Sequence, residues 1–298
     1  MRKCFLLLSS FLLWLPLQSQ AQAQFPPRSP DIAYIENGHE RQVLDVYLPE
    51  DRKQPHPTLF MIHGGGYIFG DKAIERPVAE HFQEQGFAVV VPNYRLAPQH
   101  VYPAPLNDIF CALAWTVNNA GRFQFDLSQL VIIGESAGGN AASLIGTVDD
   151  LTLFLDDCPH TLPRTIAMEA VIAYFMPVEL ATCECRAAKE IAALFFGVSP
   201  DLWQQPDAVR ELWQDASPLT WLDGREPSFL LIHGSDDSLI PLTESLQFAK
   251  LFRASGGDVQ LHIVEGADHG FFQEIDTAAG REALHQVDAF LAGILNRP

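Results

Sequence analysis

A serine, a histidine, two carboxylates and a run of glycines each follow an apolar, strand-like segment in this chain, and together they could perform nucleophilic acyl transfer. Residues 134–138 read Gly-Glu-Ser-Ala-Gly, directly after Leu130-Val131-Ile132-Ile133. This pattern puts Ser136 on a tight corner between a buried strand and a helix starting at Gly138. A Cβ two residues before or after the serine would collide with the crossing strand and helix, so both positions are glycine. Strain at such a corner lifts the hydroxyl above the sheet, within reach of a base and a carbonyl carbon. The alternative is a serine in an ordinary strand-to-helix turn. It predicts no ordered set of partner segments, yet one is present.

The first partner precedes the serine. His63-Gly64-Gly65-Gly66-Tyr67 follows the apolar segment Leu59 to Ile62. Glycines leave backbone N–H groups uncovered. Donors aimed at a carbonyl oxygen stabilise the charge it gains in the transition state, by about 3 to 4 kcal/mol each. The expected donors are the amides of Gly64, Gly65 and Ala137, with Gly66 as the alternative. The base is expected at His269, in the polar turn Gly266-Ala267-Asp268-His269-Gly270 after the last strand. A neutral imidazole can take the serine proton and return it to the leaving group. The orienting acid belongs between serine and histidine, in His233 to Pro241, which holds two adjacent carboxylates. Asp237 stands four residues before Pro241, in the turn that launches the next helix, and is the choice; Asp236 is the alternative. A carboxylate aimed at the ring fixes its tautomer and stabilises the imidazolium. His63 and His233 each precede a glycine at a strand end and read as turn-fixing residues.

These residues need elements to position them. Gln42 to Leu48 alternates like an antiparallel strand. Thr58 to Ile62, Phe87 to Val91, Leu130 to Ile133, Ala170 to Tyr174, Phe229 to Ile232 and Val259 to Val264 read as strands. Helical patterns run from Arg76 to Gln85, Leu106 to Asn119, Gly138 to Gly146, Leu242 to Ala254 and Arg281 to Leu295. Such alternation predicts a mostly parallel sheet with helices on both faces. Residues 175–226 break the rhythm, with helical pieces around Ala187 to Phe196 and Asp207 to Trp213. They read as a small lid over the C-terminal edge of the sheet, where open α/β sheets bind ligands; plain connecting structure is the alternative.

The formal net charge of −18 over 298 residues argues against nucleic acid and anionic membranes as partners. Arg2 and Lys3, the apolar Cys4 to Leu17 and Ala21-Gln22-Ala23 form a signal-peptide pattern over residues 1–23. Export is therefore expected, to the periplasm or beyond, with a mature domain over residues 24–298 and no stable membrane span after cleavage. Of the cysteines left, Cys111 sits in an apolar helical run and reads as a buried free thiol. Cys158 is expected to pair with Cys183 or Cys185.

The chain resembles carboxylesterases of the α/β-hydrolase superfamily, in the hormone-sensitive-lipase-like and feruloyl- or acetyl-esterase-like branches. The resemblance rests on Leu44 to Pro49, His63 to Lys72, Asn93 to Pro98, Tyr102 to Asp108, Gly134 to Asn140, and the acid and histidine turns. It implies a mostly parallel eight-stranded sheet and a Ser136–His269–Asp237 triad. It also implies oxyanion amides from Gly64, Gly65 and Ala137, and structural roles for Glu135, Asp108 and Arg95. The acid turn reads Asp-Ser-Leu-Ile-Pro rather than Asp-Pro-Leu, and the N-terminal segment is too short for a two-helix cap. Both departures point to a smaller, openly capped esterase.

The expected activity is hydrolysis of small carboxylic esters through an acyl-enzyme, with no metal or cofactor required. Tyr67, Phe69, Phe175, Phe195, Phe196 and Trp203 are candidates to line a pocket for a short acyl or aryl group. Two alternatives stay open: an amide hydrolase of arylformamidase or small-peptidase type, and a non-catalytic binding module on the same fold.

Overall fold

The apolar runs form strands in the order that the alternation requires. The computed structural model describes residues 28–51, 54–179, 186–199, 201–202, 205, 207, 211 and 213–295. One sheet contains β1 (Arg28–Ala33), β2 (Val43–Tyr47), β3 (His56–Ile62), β4 (Ala88–Pro92), β5 (Phe125–Glu135), β6 (Ala170–Tyr174), β7 (Ser228–Gly234) and β8 (Val259–Val264). Its spatial order is β1-β2-β4-β3-β5-β6-β7-β8. β2 pairs antiparallel with β1 and β4, and all other neighbours are parallel.

The helices are α1 (Arg76–Glu84), α2 (Ala104–Asn118), the short α3 (Ala120–Phe123), α4 (Ala137–Thr147), α5 (Arg186–Phe196), α6 (Thr243–Ser255) and α7 (Ala278–Ile294). α1 and α7 cover one face of the sheet, through Val78, Phe82, Val287 and Phe290. α2, α4 and α6 cover the other, through Ile109, Leu113, Leu144 and Phe248. Both faces of β5 are therefore apolar. Leu130 and Ile132 enter one cluster, Val131 and Ile133 the other. This explains why its sequence is a continuous apolar run rather than an alternation.

Seven of the eight strands are legible as apolar segments; β1 is not. Its sequence, Arg-Ser-Pro-Asp-Ile-Ala, lies at the sheet edge, pairs with β2 through an irregular register and is mostly solvent-facing. What holds it is charge. The Arg28 guanidinium meets the buried carboxylate of Asp45 at 2.7 Å, and Lys72 Nζ reaches the other oxygen at 2.6 Å. Asp45 thus ties the N-terminal strand to the segment that follows the glycine run.

The expectation for the cysteines is corrected. Cys111 is not a free thiol: it is bonded to Cys158, with Cα atoms 5.5 Å apart. The segment after α4 folds back on α2, with the Phe110 and Phe154 rings 4.9 Å apart, and this carries Cys158 over the α2 surface. Cys183 and Cys185, the partners expected for Cys158, lie outside the described residues, as do residues 1–23 and Trp203.

The segment between β6 and β7 carries α5. Much of the second helical piece expected there, Asp207 to Trp213, lies outside the described residues. Among the described residues no helix is long and apolar enough to cross a membrane, and no three His, Cys, Asp or Glu side chains are placed to hold a metal ion.

Candidate active site

Ser136 sits between the end of β5 and the first residue of α4, with φ 53° and ψ −119°. A non-glycine residue at such a φ is strained and is held there only by its surroundings. A Cβ on Gly134 would strike the backbone of Gly138, and one on Gly138 would strike the carbonyls of Ile62 and His63. Strand, corner and helix therefore pass too close for side chains, as the motif requires. Ser136 N–H donates to Tyr174 O on β6 at 3.0 Å, and Ser136 O accepts from Asn140 N–H at 2.9 Å, which pins the corner.

Two further strand ends bring the other candidates to the same sheet edge. His269 follows β8 and Asp237 follows β7. His269 Nε2 lies 3.0 Å from Ser136 Oγ, and His269 Nδ1 lies 2.8 Å from Asp237 Oδ2. The second Asp237 oxygen accepts from the N–H groups of Leu239 and Ile240 at 2.9 and 2.8 Å. Burial alone would raise the Asp237 carboxyl. Hydrogen bonds from the His233 and His269 rings, the nearby His269 charge and the Ile240 N–H outweigh burial and hold it well below the usual carboxylate range. Asp236, the alternative acid, receives the Ser235 hydroxyl and faces solvent. His233 is buried between Ser245 Oγ and Ile240 O, at 2.8 and 2.9 Å, and shapes the acid turn. Phe175 is not a wall of the cavity; its ring packs 4.4 Å from that of His269 and supports it.

The glycine run differs from expectation at one position. Gly64 N–H does not point at the serine. It donates to Glu135 Oε1 at 2.6 Å, and a Cβ on Gly64 would collide with that carboxylate. Gly64 is glycine because Glu135 packs against it, so its assignment as an oxyanion donor is corrected. Gly65 and Gly66 do line the cavity beside Ser136, at φ 104° and 62°. Among the described residues nothing accepts from their N–H groups. Ala137 is the first residue of α4, a position whose N–H lacks an intrahelical partner. Beside Ser136, the N–H groups of Gly65, Gly66 and Ala137 are thus the ones without an acceptor among the described residues.

The loop is held from several sides. Tyr67, at φ 61°, donates its hydroxyl to Asn140 Oδ1 at 2.8 Å and stacks on Phe195 of α5 with centroids 4.3 Å apart. A Cβ on Gly66 would strike the Ile191 side chain, so α5 sits directly on the loop. His63 stacks on Tyr94, and its Nδ1 lies 2.7 Å from Gly64 O; burial pushes its pKa down to about 4, so it stays neutral. Arg41 donates to Gly70 O at 2.9 Å. Arg95 and Asp108 form a two-armed ion pair at 2.8 and 2.7 Å, a structural role as expected.

Ser136 and His269 open onto a cavity of about 250 Å³. Its walls are mostly apolar: Tyr67, Phe69 and Ile74 from the loop and the segment after it, Ala188, Ile191, Ala192 and Phe195 from α5, and Trp213, Leu239 and Ile240, with Glu135 and Gln273 as polar members. Phe196 packs instead against Trp213 and Tyr102. Of the α5 residues, Phe195 lines the cavity as expected, whereas Ala188, Ile191 and Ala192 escape a reading of the sequence, because an amphipathic helix does not announce which neighbour it faces.

The BD-FAE family model matches residues 44–252. Esterase LipC of Mycobacterium tuberculosis is 30% identical over 254 residues, which cover 84% of this chain and 62% of LipC. LipM of the same organism, a probable carboxylic ester hydrolase, is 26% identical over 268 residues, 89% of this chain and 61% of LipM. The chain thus spans less than two thirds of either relative. Among solved structures, the bifunctional GH43-CE protein of Bacteroides eggerthii superposes with a TM-score of 0.76 at 26% identity, over 90% of this chain and 35% of that one. The matched residues include the serine corner and the acid turn, on a sheet of the α/β-hydrolase kind, and the chain belongs to the BD-FAE family of the α/β-hydrolase superfamily.

Proposed function

We propose that this chain is an exported serine carboxylesterase acting on small apolar esters, of short-chain or aryl acids. The observation that carries the reading is the hydrogen-bonded line Ser136–His269–Asp237 at the mouth of an apolar cavity that unpartnered N–H groups also face. Ser136 Oγ attacks the ester carbonyl carbon while His269 Nε2 takes its proton. Asp237 holds the Nδ1 proton and stabilises the imidazolium. The negative oxygen is met by the amides of Gly65, Gly66 and Ala137, each contributing about 3 kcal/mol in the transition state. His269 returns the proton to the leaving alcohol, and water repeats the sequence on the acyl-enzyme.

The small volume and mostly apolar walls favour a compact acyl or aryl group over a sugar, since the polar side chains there, Glu135 and Gln273, are already hydrogen-bonded within the protein. LipC and LipM, esterases by their names, support ester chemistry. The Cys111–Cys158 bond supports an oxidising compartment and so agrees with export.

The test is hydrolysis of p-nitrophenyl acetate, butyrate and palmitate by residues 24–298, beside Ser136→Ala. Turnover of the short esters, abolished by the substitution, is the expected result. Activity that survives Ser136→Ala would remove the reading.

A further inference from the structure

Gln273 stands on the same turn as His269, four residues on. Its side-chain Nε2 donates to Glu135 Oε1 at 3.1 Å and to Glu75 Oε1 at 3.0 Å. The Glu135 oxygen is the one that also accepts from Gly64 N–H. Glu75 precedes α1, is fully buried, and its Oε2 has no hydrogen-bond partner among the described residues. One amide group thus bridges two buried carboxyls, beneath the loop that bears the oxyanion donors and beside the base.

We propose that Gln273 and Glu75 are positioning residues that hold Glu135 against Gly64, and so tie the turn of His269 to the loop of Gly65 and Gly66. The inference rests on the ester-hydrolysis reading above. Two carboxyls sharing one amide in a buried site cannot both be charged. Burial, reinforced by Glu135, pushes Glu75 well above the usual carboxyl range. Burial also raises Glu135, but Gly64 N–H, His269 and Gln273 oppose it by favouring the charged form. Glu75 therefore keeps the proton, and the ionised Glu135 is the stronger acceptor for Gly64.

The titratable groups around the pair come from three other elements. Glu135 ends β5, and His269 follows β8. Tyr94 follows β4; burial raises its hydroxyl, and both carboxyls add to the rise. No lysine or arginine offsets either carboxyl among the described residues. When Glu75 loses its proton as pH rises, the two charges repel across the Gln273 amide and the clamp loosens.

The experiment measures kcat and KM for p-nitrophenyl butyrate across pH, in the wild type, Gln273→Ala, Glu75→Gln and Glu75→Leu. Gln273→Ala is expected to lower kcat about 10- to 100-fold through misplacement of the loop, with KM little changed. Glu75→Gln cannot ionise. It should lose less activity than Glu75→Leu and hold its kcat to higher pH than the wild type. Wild-type kcat in Gln273→Ala, or a Glu75→Gln profile that superimposes on the wild type, would overturn the proposal.

Thermal melts add an arm that needs no turnover. A carboxyl raised in the folded state contributes stability that is complete below its unfolded pKa, and that is lost as pH climbs from there through the folded value. The Tm advantage of Glu75→Gln over the wild type should therefore grow between about pH 5 and about pH 8; an equal difference at both would overturn the shared proton. A wild type without Ser136-dependent turnover would instead remove the esterase reading, and the melts would still decide the charge state of Glu75.

Discussion

Gly64 donates its N–H to Glu135 across 71 residues of sequence, and the carboxylate occupies the space that a side chain on Gly64 would need. The residue beside the serine therefore shapes the loop that faces it. Gly64→Ala should drive the carboxylate off its acceptor position and turn the Gly65 and Gly66 amides away from the substrate oxygen. A loss of about 100-fold in kcat is expected, comparable to removing one oxyanion donor. Glu135→Gln keeps an acceptor oxygen and should cost less. Steady-state kinetics of the two variants decide the matter; a Gly64→Ala protein with wild-type kcat would mean that the carboxylate does not set the loop.

The adjacent acids separate the same way. Asp237 is bound to His269 and to two backbone N–H groups, whereas Asp236 meets Ser235 and solvent. Asp237→Asn should lower kcat about 10⁴-fold by presenting the wrong partner to the ring. Asp236→Asn should stay within a few-fold of the wild type, and the reverse ranking would exchange the two roles. The pH behaviour follows from the lowered Asp237 carboxyl. Its stabilising contribution is present above the ordinary aspartate range, near pH 3.9, and is lost only as pH falls through the depressed folded value. The Tm gap between wild type and Asp237→Asn should be flat from about pH 5 to about pH 8 and close only in strong acid.

The meeting of Ser136, His269 and Asp237 is legible because each follows a strand whose apolar run marks it. Leu130 to Ile133 announces Ser136 in this way. Gly64 was misread because its partner, Glu135, is distant in sequence and the choice among three glycines depends on loop geometry. Glu75 and Gln273 carry no periodic signal, and their meeting depends on how α1 and the last loop pack. β1 went unread because a polar edge strand held by Arg28 and Asp45 lacks hydrophobic alternation. Cys111 reads as core by composition, and nothing local points to Cys158.

That disulfide makes a further prediction. It closes a loop of 47 residues, which by chain entropy restricts the unfolded state by about 4 kcal/mol. For a domain of this size the loss corresponds to about 10 °C in Tm. The double variant Cys111→Ser, Cys158→Ser should melt lower by that order and turn over esters at the wild-type rate at 25 °C, since the bond lies outside the cavity walls. Adding reductant to the wild type should reproduce the shift and leave the double variant unaffected. Equal melting of the two proteins would remove the bond from the account of stability.

The cavity walls set the last prediction. Ala188 and Ala192 are small, buried and turned toward the cavity from α5, so the space beside Ser136 exists because two side chains end at Cβ. A ring at Ala192 should fill that space and leave the serine, base and N–H donors in place. Ala192→Phe is then expected to lower kcat/KM for bulky acyl esters by about 10- to 100-fold, the scale on which an apolar pocket discriminates by size. The acetate ester, which needs little depth, should change by only a few-fold. Separate steady-state measurements with p-nitrophenyl acetate and p-nitrophenyl benzoate give the ratio of the two kcat/KM values. If both esters slow equally, the substitution has disturbed α5 and its seat on Tyr67 rather than the acyl space; if neither slows, the acyl group binds elsewhere.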